Sequence, residues 1–92
     1  MSVTVRVPTI LRTLTGGESE VPVDGAATLA ELLDKLDAEH PGIRARVLDE
    51  DGKLRRFVNV YVGEDDVRFS EGLQTATPDG ATVSIIPAVA GG

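Results

Sequence analysis

Thr28-Leu29-Ala30-Glu31-Leu32-Leu33-Asp34-Lys35-Leu36 decides the architecture. Leu29, Leu32, Leu33 and Leu36 recur at i, i+3, i+4 and i+7, so four leucines share one stripe of a helix and Asp34, Lys35 and Asp37 are left for water. Thr28 followed by Glu31 matches a capping box, in which the Thr28 hydroxyl takes the amide three residues on and Glu31 reaches back. Pro41-Gly42 ends the helix. His40, the only histidine, sits at that end and reads as structural, placed where a cation suits the helix dipole. A helix with one apolar stripe covers one face of one sheet.

The flanking segments supply that sheet. Val3, Val5 and Val7 alternate with Ser2, Thr4 and Arg6, the period of a half-buried strand. Pro8 cannot donate to a ladder, and Gly16-Gly17 allows a reversal before Glu18 to Val23, where Val21 and Val23 resume the alternation. This predicts an N-terminal hairpin with a long or irregular connection, closed by Asp24-Gly25. Beyond the helix, Ile43, Val47 and Leu48 predict a short irregular or helical stretch before the acidic turn Asp49-Glu50-Asp51-Gly52. Phe57 to Val62 carries the strongest strand signal, with Val58, Val60 and Val62 toward the helix and Phe57, Asn59 and Tyr61 on the uncovered face. After Gly63, a segment around Val67 to Phe69 reads as a short edge strand. Pro78-Asp79-Gly80 then turns into a last strand over Thr82 to Ile86. The order describes an α+β domain of the β-grasp (ubiquitin-like) type, a mixed sheet of four to five strands with one main helix across one face. It spans residues 1–86, and residues 87–92 are expected to form a flexible tail ending in Gly-Gly.

Composition narrows the function. The 92 residues, 41% hydrophobic and 26% charged, suffice for one small domain. Its radius of gyration should be about 12 Å, which leaves little room for a deep catalytic cavity. Nine Lys and Arg against fifteen Asp and Glu give a net charge of −6, a field that repels nucleic acid and anionic membranes. Cysteine is absent, which removes disulfides, iron–sulfur clusters and thiol nucleophiles. One histidine supports neither an imidazole metal cage nor a His-assisted nucleophile, and the runs Asp49–Asp51 and Glu64–Asp66 lack calcium-loop spacing and read as solvated turns. No catalytic residue, metal ligand or bound cofactor is expected, and the chain is not read as an enzyme. Its N-terminus has neither the basic start nor the apolar run of a secretory signal, so a cytoplasmic location is expected.

What remains is the end of the chain, Pro87-Ala88-Val89-Ala90-Gly91-Gly92. Without Cβ atoms Gly91 and Gly92 have a minimal cross-section, so a terminal carboxylate can be threaded down a narrow channel in another protein. Val89, Ala90 and Gly91 would be the threaded segment and Gly92 the reacting end. Threading suits a carboxylate, which is inert until activated and must then be kept from water. The internal pair Gly16-Gly17 has the same composition and makes only a turn; position distinguishes the two.

The β-grasp order together with the terminal Val-Ala-Gly-Gly, Val89 to Gly92, resembles the ubiquitin-like sulfur carriers of the ThiS/MoaD family. Val3-Thr4-Val5, Pro8-Thr9-Ile10-Leu11-Arg12, Phe57-Val58-Asn59-Val60-Tyr61-Val62 and Asp66-Val67-Arg68-Phe69-Ser70 resemble the cysteine-biosynthesis branch. The resemblance implies that an E1-like enzyme uses ATP to adenylate the Gly92 carboxyl and that sulfur replaces AMP to leave a thiocarboxylate. It further implies a pyridoxal-phosphate cysteine synthase, acting on O-phosphoserine, that takes the sulfur, and a zinc-dependent peptidase that releases cysteine. Rival readings are a molybdopterin synthase small subunit, a carrier for thiamine or another thiolated product, a ubiquitin-like protein modifier, and a plain β-grasp interaction module. Partners are expected on the uncovered sheet face, at an apolar patch of Phe57, Tyr61 and Ile86 near the tail's root.

Overall fold

The computed structural model describes residues 2–87. Strand β1, Ser2–Arg6, turns through a 3₁₀ segment, Thr9–Thr15, into β2, Glu20–Asp24. Helix α1, Leu29–Glu39, and the short α2, Ile43–Val47, lead to β3, Val58–Val62. The two-residue β4, Asp65–Asp66, two 3₁₀ turns and β5, Thr82–Pro87, follow among the described residues. The strand order is β2-β1-β5-β3-β4, with β1 and β5 parallel at the centre and the other pairs antiparallel. This is the mixed five-stranded β-grasp sheet, with a radius of gyration of 11.9 Å.

The core lies between the sheet and the helices. Leu29, Leu32, Leu33 and Leu36 of α1 and Ile43 and Val47 of α2 are fully buried against Val3, Val5, Val60 and Val83. Alternation along each strand sets this, since odd positions of β1 and β2 point inward. α1 begins as its sequence dictates, with the Thr28 hydroxyl accepting from the Glu31 amide at 3.3 Å. The return arm of the cap lands one residue earlier than the capping-box pattern implies: Glu31 Oε1 accepts from the Ala27 amide at 3.0 Å. Asp37 does more than face water. Half-buried, its Oδ1 accepts from the Gly42 and Arg44 amides at 3.0 and 3.1 Å, fixing the joint between the helices.

The connection between β1 and β2 closes at Gly16, whose φ of +65° lets the Gly17 amide reach Arg12 O at 2.7 Å. Sheet edges are blunted. The Thr4 amide donates inward to Ala81 O at 3.0 Å, so its partner Pro22 sits at a wide pair and its missing donor falls on the outer edge of β2.

Val67–Phe69 is not an edge strand. Pairing with β3 stops after Asp65 and Asp66, and Val67–Phe69 forms a 3₁₀ turn. Asp66 Oδ1 accepts from the Arg68 amide at 2.9 Å, taking a donor that a ladder would need, while Val67 drops fully into the core. Phe57 likewise lies outside β3, held just before it by a turn in which the Val58 amide donates to Arg55 O at 3.1 Å.

Candidate functional site at the root of the C-terminal tail

β5 delivers the chain to the end of the sheet where β1 finishes and β3 starts. Ile86 pairs with Asn59 and Pro87 with Val58. Pro87 has no N–H and so donates nothing to this pairing. Val89, Ala90, Gly91 and Gly92 lie outside the described residues, so the site described is the platform from which they leave.

The face of the sheet away from α1 carries no helix. Asn59 and Tyr61 of β3 and Ser84 and Ile86 of β5 point to it, with Tyr61 opposite Ser84 and therefore diagonal to Ile86, within reach for an aromatic ring. Ile86 is 47% exposed, Tyr61 half-buried, and Phe57 57% exposed at the mouth of β3. Tyr61 and Ile86 thus share the face, and Phe57 stands at its end instead of on the strand alternation.

Three arginines surround this ground, none singled out by its sequence. Arg68 crosses from the turn after β4 and donates through Nη1 to Asn59 Oδ1 at 2.7 Å and through Nη2 to Arg55 O. It ties the approach to Phe57 onto β3 beside Ile86. On the other flank, a cleft of about 470 Å³ opens between the β1–β2 connection and β5, lined among others by Arg6, Arg12, Thr9, Ser84, Ile86 and Pro87. Arg12 is held there by Nε donation to Val7 O at 3.1 Å. Arg6 is exposed, with Glu20 opposite it on β2 and Ser84 on β5. These contacts join residues from separate elements, and no local spacing announces them.

The remaining chemistry is structural. Asp49 Oδ1 accepts from the Lys53 and Asp51 amides at 3.0 and 2.9 Å. The Lys53 amide, ahead of the positive charges of Arg55 and Lys53, holds this carboxyl below the usual range. His40 is the C-cap of α1, its amide bonded to Leu36 O. Among the described residues no cluster of His, Asp and Glu could hold a metal ion, and no helix is long and apolar enough to cross a membrane.

The sequence model of the ThiS family matches residues 5–92, through the terminal glycines. The chain belongs to the ThiS family. This ThiS-family chain is 53% identical over 94 residues to "Sulfur carrier protein CysO" of Mycobacterium tuberculosis (strain ATCC 25618 / H37Rv), with all of both chains covered. It matches the solved structure "Crystal structure of Amycolatopsis orientalis BexX/CysO complex" with a TM-score of 0.90 and 54% identity, covering 98% of this chain and 99% of that one. It also matches the crystal structure of SAMP1 from Haloferax volcanii, with a TM-score of 0.82, 30% identity and both chains fully covered. The CysO relatives are small ubiquitin-like carriers and not enzymes, and this ThiS-family member is their homologue.

Proposed function

We propose that this chain is a sulfur carrier whose working group is the C-terminal carboxyl of Gly92, serving cysteine biosynthesis. The observation that carries the reading is the end-to-end likeness to CysO, 53% identity over the full length of both chains, with a family match that runs through Gly92. In the proposed cycle an E1-like enzyme transfers AMP from ATP to the Gly92 carboxylate, releasing pyrophosphate. A sulfur nucleophile then displaces AMP and leaves a thiocarboxylate. A pyridoxal-phosphate synthase acting on O-phosphoserine takes that sulfur as inorganic phosphate leaves, giving a carrier–cysteine adduct, and a zinc-dependent peptidase hydrolyses the adduct with water to free cysteine and regenerate the carboxylate. The chain itself supplies a thin tail, a rigid root at Pro87 and a docking patch of Phe57, Tyr61 and Ile86. Its lack of cysteine is compatible with this work, since no thiol of its own can capture the activated acyl group.

The test is intact-mass analysis of protein from its native host, with a Gly91-Gly92 deletion alongside. The expected result is a species heavier by the difference between sulfur and oxygen, or by an attached cysteine, on the full-length chain alone. Unmodified carboxylate in sulfur-limited and sulfur-replete cells alike would sink the reading. A second reading, a protein modifier joined through Gly92 to lysines, is favoured by the likeness to the small archaeal modifier proteins. It requires a ladder of heavier conjugates in the same extracts.

A further inference from the structure

The sheet face away from the helices has its charges sorted along the direction of β5. At the root end stand Arg6, Arg12 and Arg68, bracketing Ile86 from both sides. At the far end stand Asp24, opposite Ser2 at the close of β2, and Asp79, whose Oδ1 accepts from the Ser2 amide at 2.7 Å. Asp66 lies opposite Tyr61, toward that same end. Glu20, opposite Arg6, is the exception that lines the cleft.

This arrangement runs against the chain's overall sign. With a net charge of −6, clustered arginines where the tail departs form a local reversal of the field. Two of the three are held in place, Arg12 by Val7 O and Arg68 by Asn59 and Arg55, so little side-chain freedom is lost when a charged partner meets them. Guanidinium forks in fixed orientation match carboxylates two bonds at a time. Nucleic acid meets the same arginines only after approaching a strongly acidic molecule, whereas a protein surface can present carboxylates at this end alone.

We propose that Arg6, Arg12 and Arg68 form a basic seat around Ile86 that receives a carboxylate-bearing rim on a protein partner, and that the acidic far end orients the carrier tail-first. The inference rests on the carrier reading, which makes Pro87 the root of the segment a partner must receive.

The test uses BexX of Amycolatopsis orientalis, the protein crystallised with the 54% identical relative, as the probe. Its affinity for the full chain is compared with that for Arg6→Glu alone, for Arg6→Glu with Arg12→Glu, and for Lys35→Glu, which matches the charge change of Arg6→Glu alone on the exposed face of α1. Expected is a loss of about ten-fold or more for the double variant and a smaller loss for Arg6→Glu, with Lys35→Glu unchanged. The gap should narrow to a few-fold at about 0.5 M NaCl, where screening is strong. Arg6 is exposed, so its single variant reads the seat even where Arg12→Glu disturbs the cleft.

Equal affinity for all four proteins, no salt dependence, or no complex with the unsubstituted chain overturns the proposal. So does a labelled oligouridylate that binds the unsubstituted chain and not the double variant, since the seat would then be for phosphate. The result is separable from the fate of the carrier reading, because the mass of the Gly92 carboxyl is read without any partner.

Discussion

Arg68 shows how one side chain can join segments that are far apart in the chain. Its backbone amide is capped by Asp66 and its guanidinium joins Asn59 to Arg55 O, so one residue links the turn after β4, the middle of β3 and the loop before Phe57. Exchange to Met keeps the aliphatic stem and removes both donors. Because the site is exposed, the expected cost in urea unfolding is only about 1 kcal/mol. The larger effect should be local, with the amide resonances of residues 55–59 shifting in an ¹H–¹⁵N spectrum while those of α1 stay in place. Uniform shifts, or none, would show that Arg68 does not position this loop. Its role could not be read beforehand, since the partners lie 9 and 13 positions away and arginine at an exposed position is unremarkable in any sequence.

α1 is the element in which local rules and the packed structure agree most closely. Its stripe of leucines, its threonine cap and its stop at His40 before Pro41 are all visible in residues 28–42. Thr28→Ala should therefore cost about 1 kcal/mol, through the loss of the acceptor for the Glu31 amide, and urea denaturation measures it. An unchanged midpoint would mean that the reciprocal Glu31–Ala27 contact carries the cap alone. The segment after β3 shows the opposite case. Val67-Arg68-Phe69 has an apolar–polar–apolar order that fits a strand, yet it folds as a turn with Val67 buried and Phe69 91% exposed. Alternation over three residues does not separate an edge strand from a turn when a side-chain cap competes for the amide.

At the scale of the whole molecule, one layer of helix on one sheet divides the apolar residues into those that hold the fold and those left on show. Leu33, fully buried between α1 and the sheet, should cost about 2–5 kcal/mol on change to Ala, a large share of the several kcal/mol that a domain of this size commands. Phe57→Ala, at a residue 57% exposed, should shift the unfolding midpoint far less while weakening the binding to BexX proposed above. Equal destabilisation by the two changes would make Phe57 a core residue and remove it from the docking patch.

Composition and period by themselves determined the helix, the main strands and the division of the sheet into a covered and an open face, because each follows from spacing within a few residues. Only the tertiary structure decided the strand order, which rests on a parallel pairing of β1 with β5 across nearly the whole sequence. It also decided that Val67–Phe69 turns inward, that Asp37 binds two helices together, and that Arg6, Arg12 and Arg68 gather around Ile86. The physical reason is range: periodicity reports which side of an element is apolar, whereas charges and hydrogen bonds between elements are fixed only once the core has brought those elements side by side.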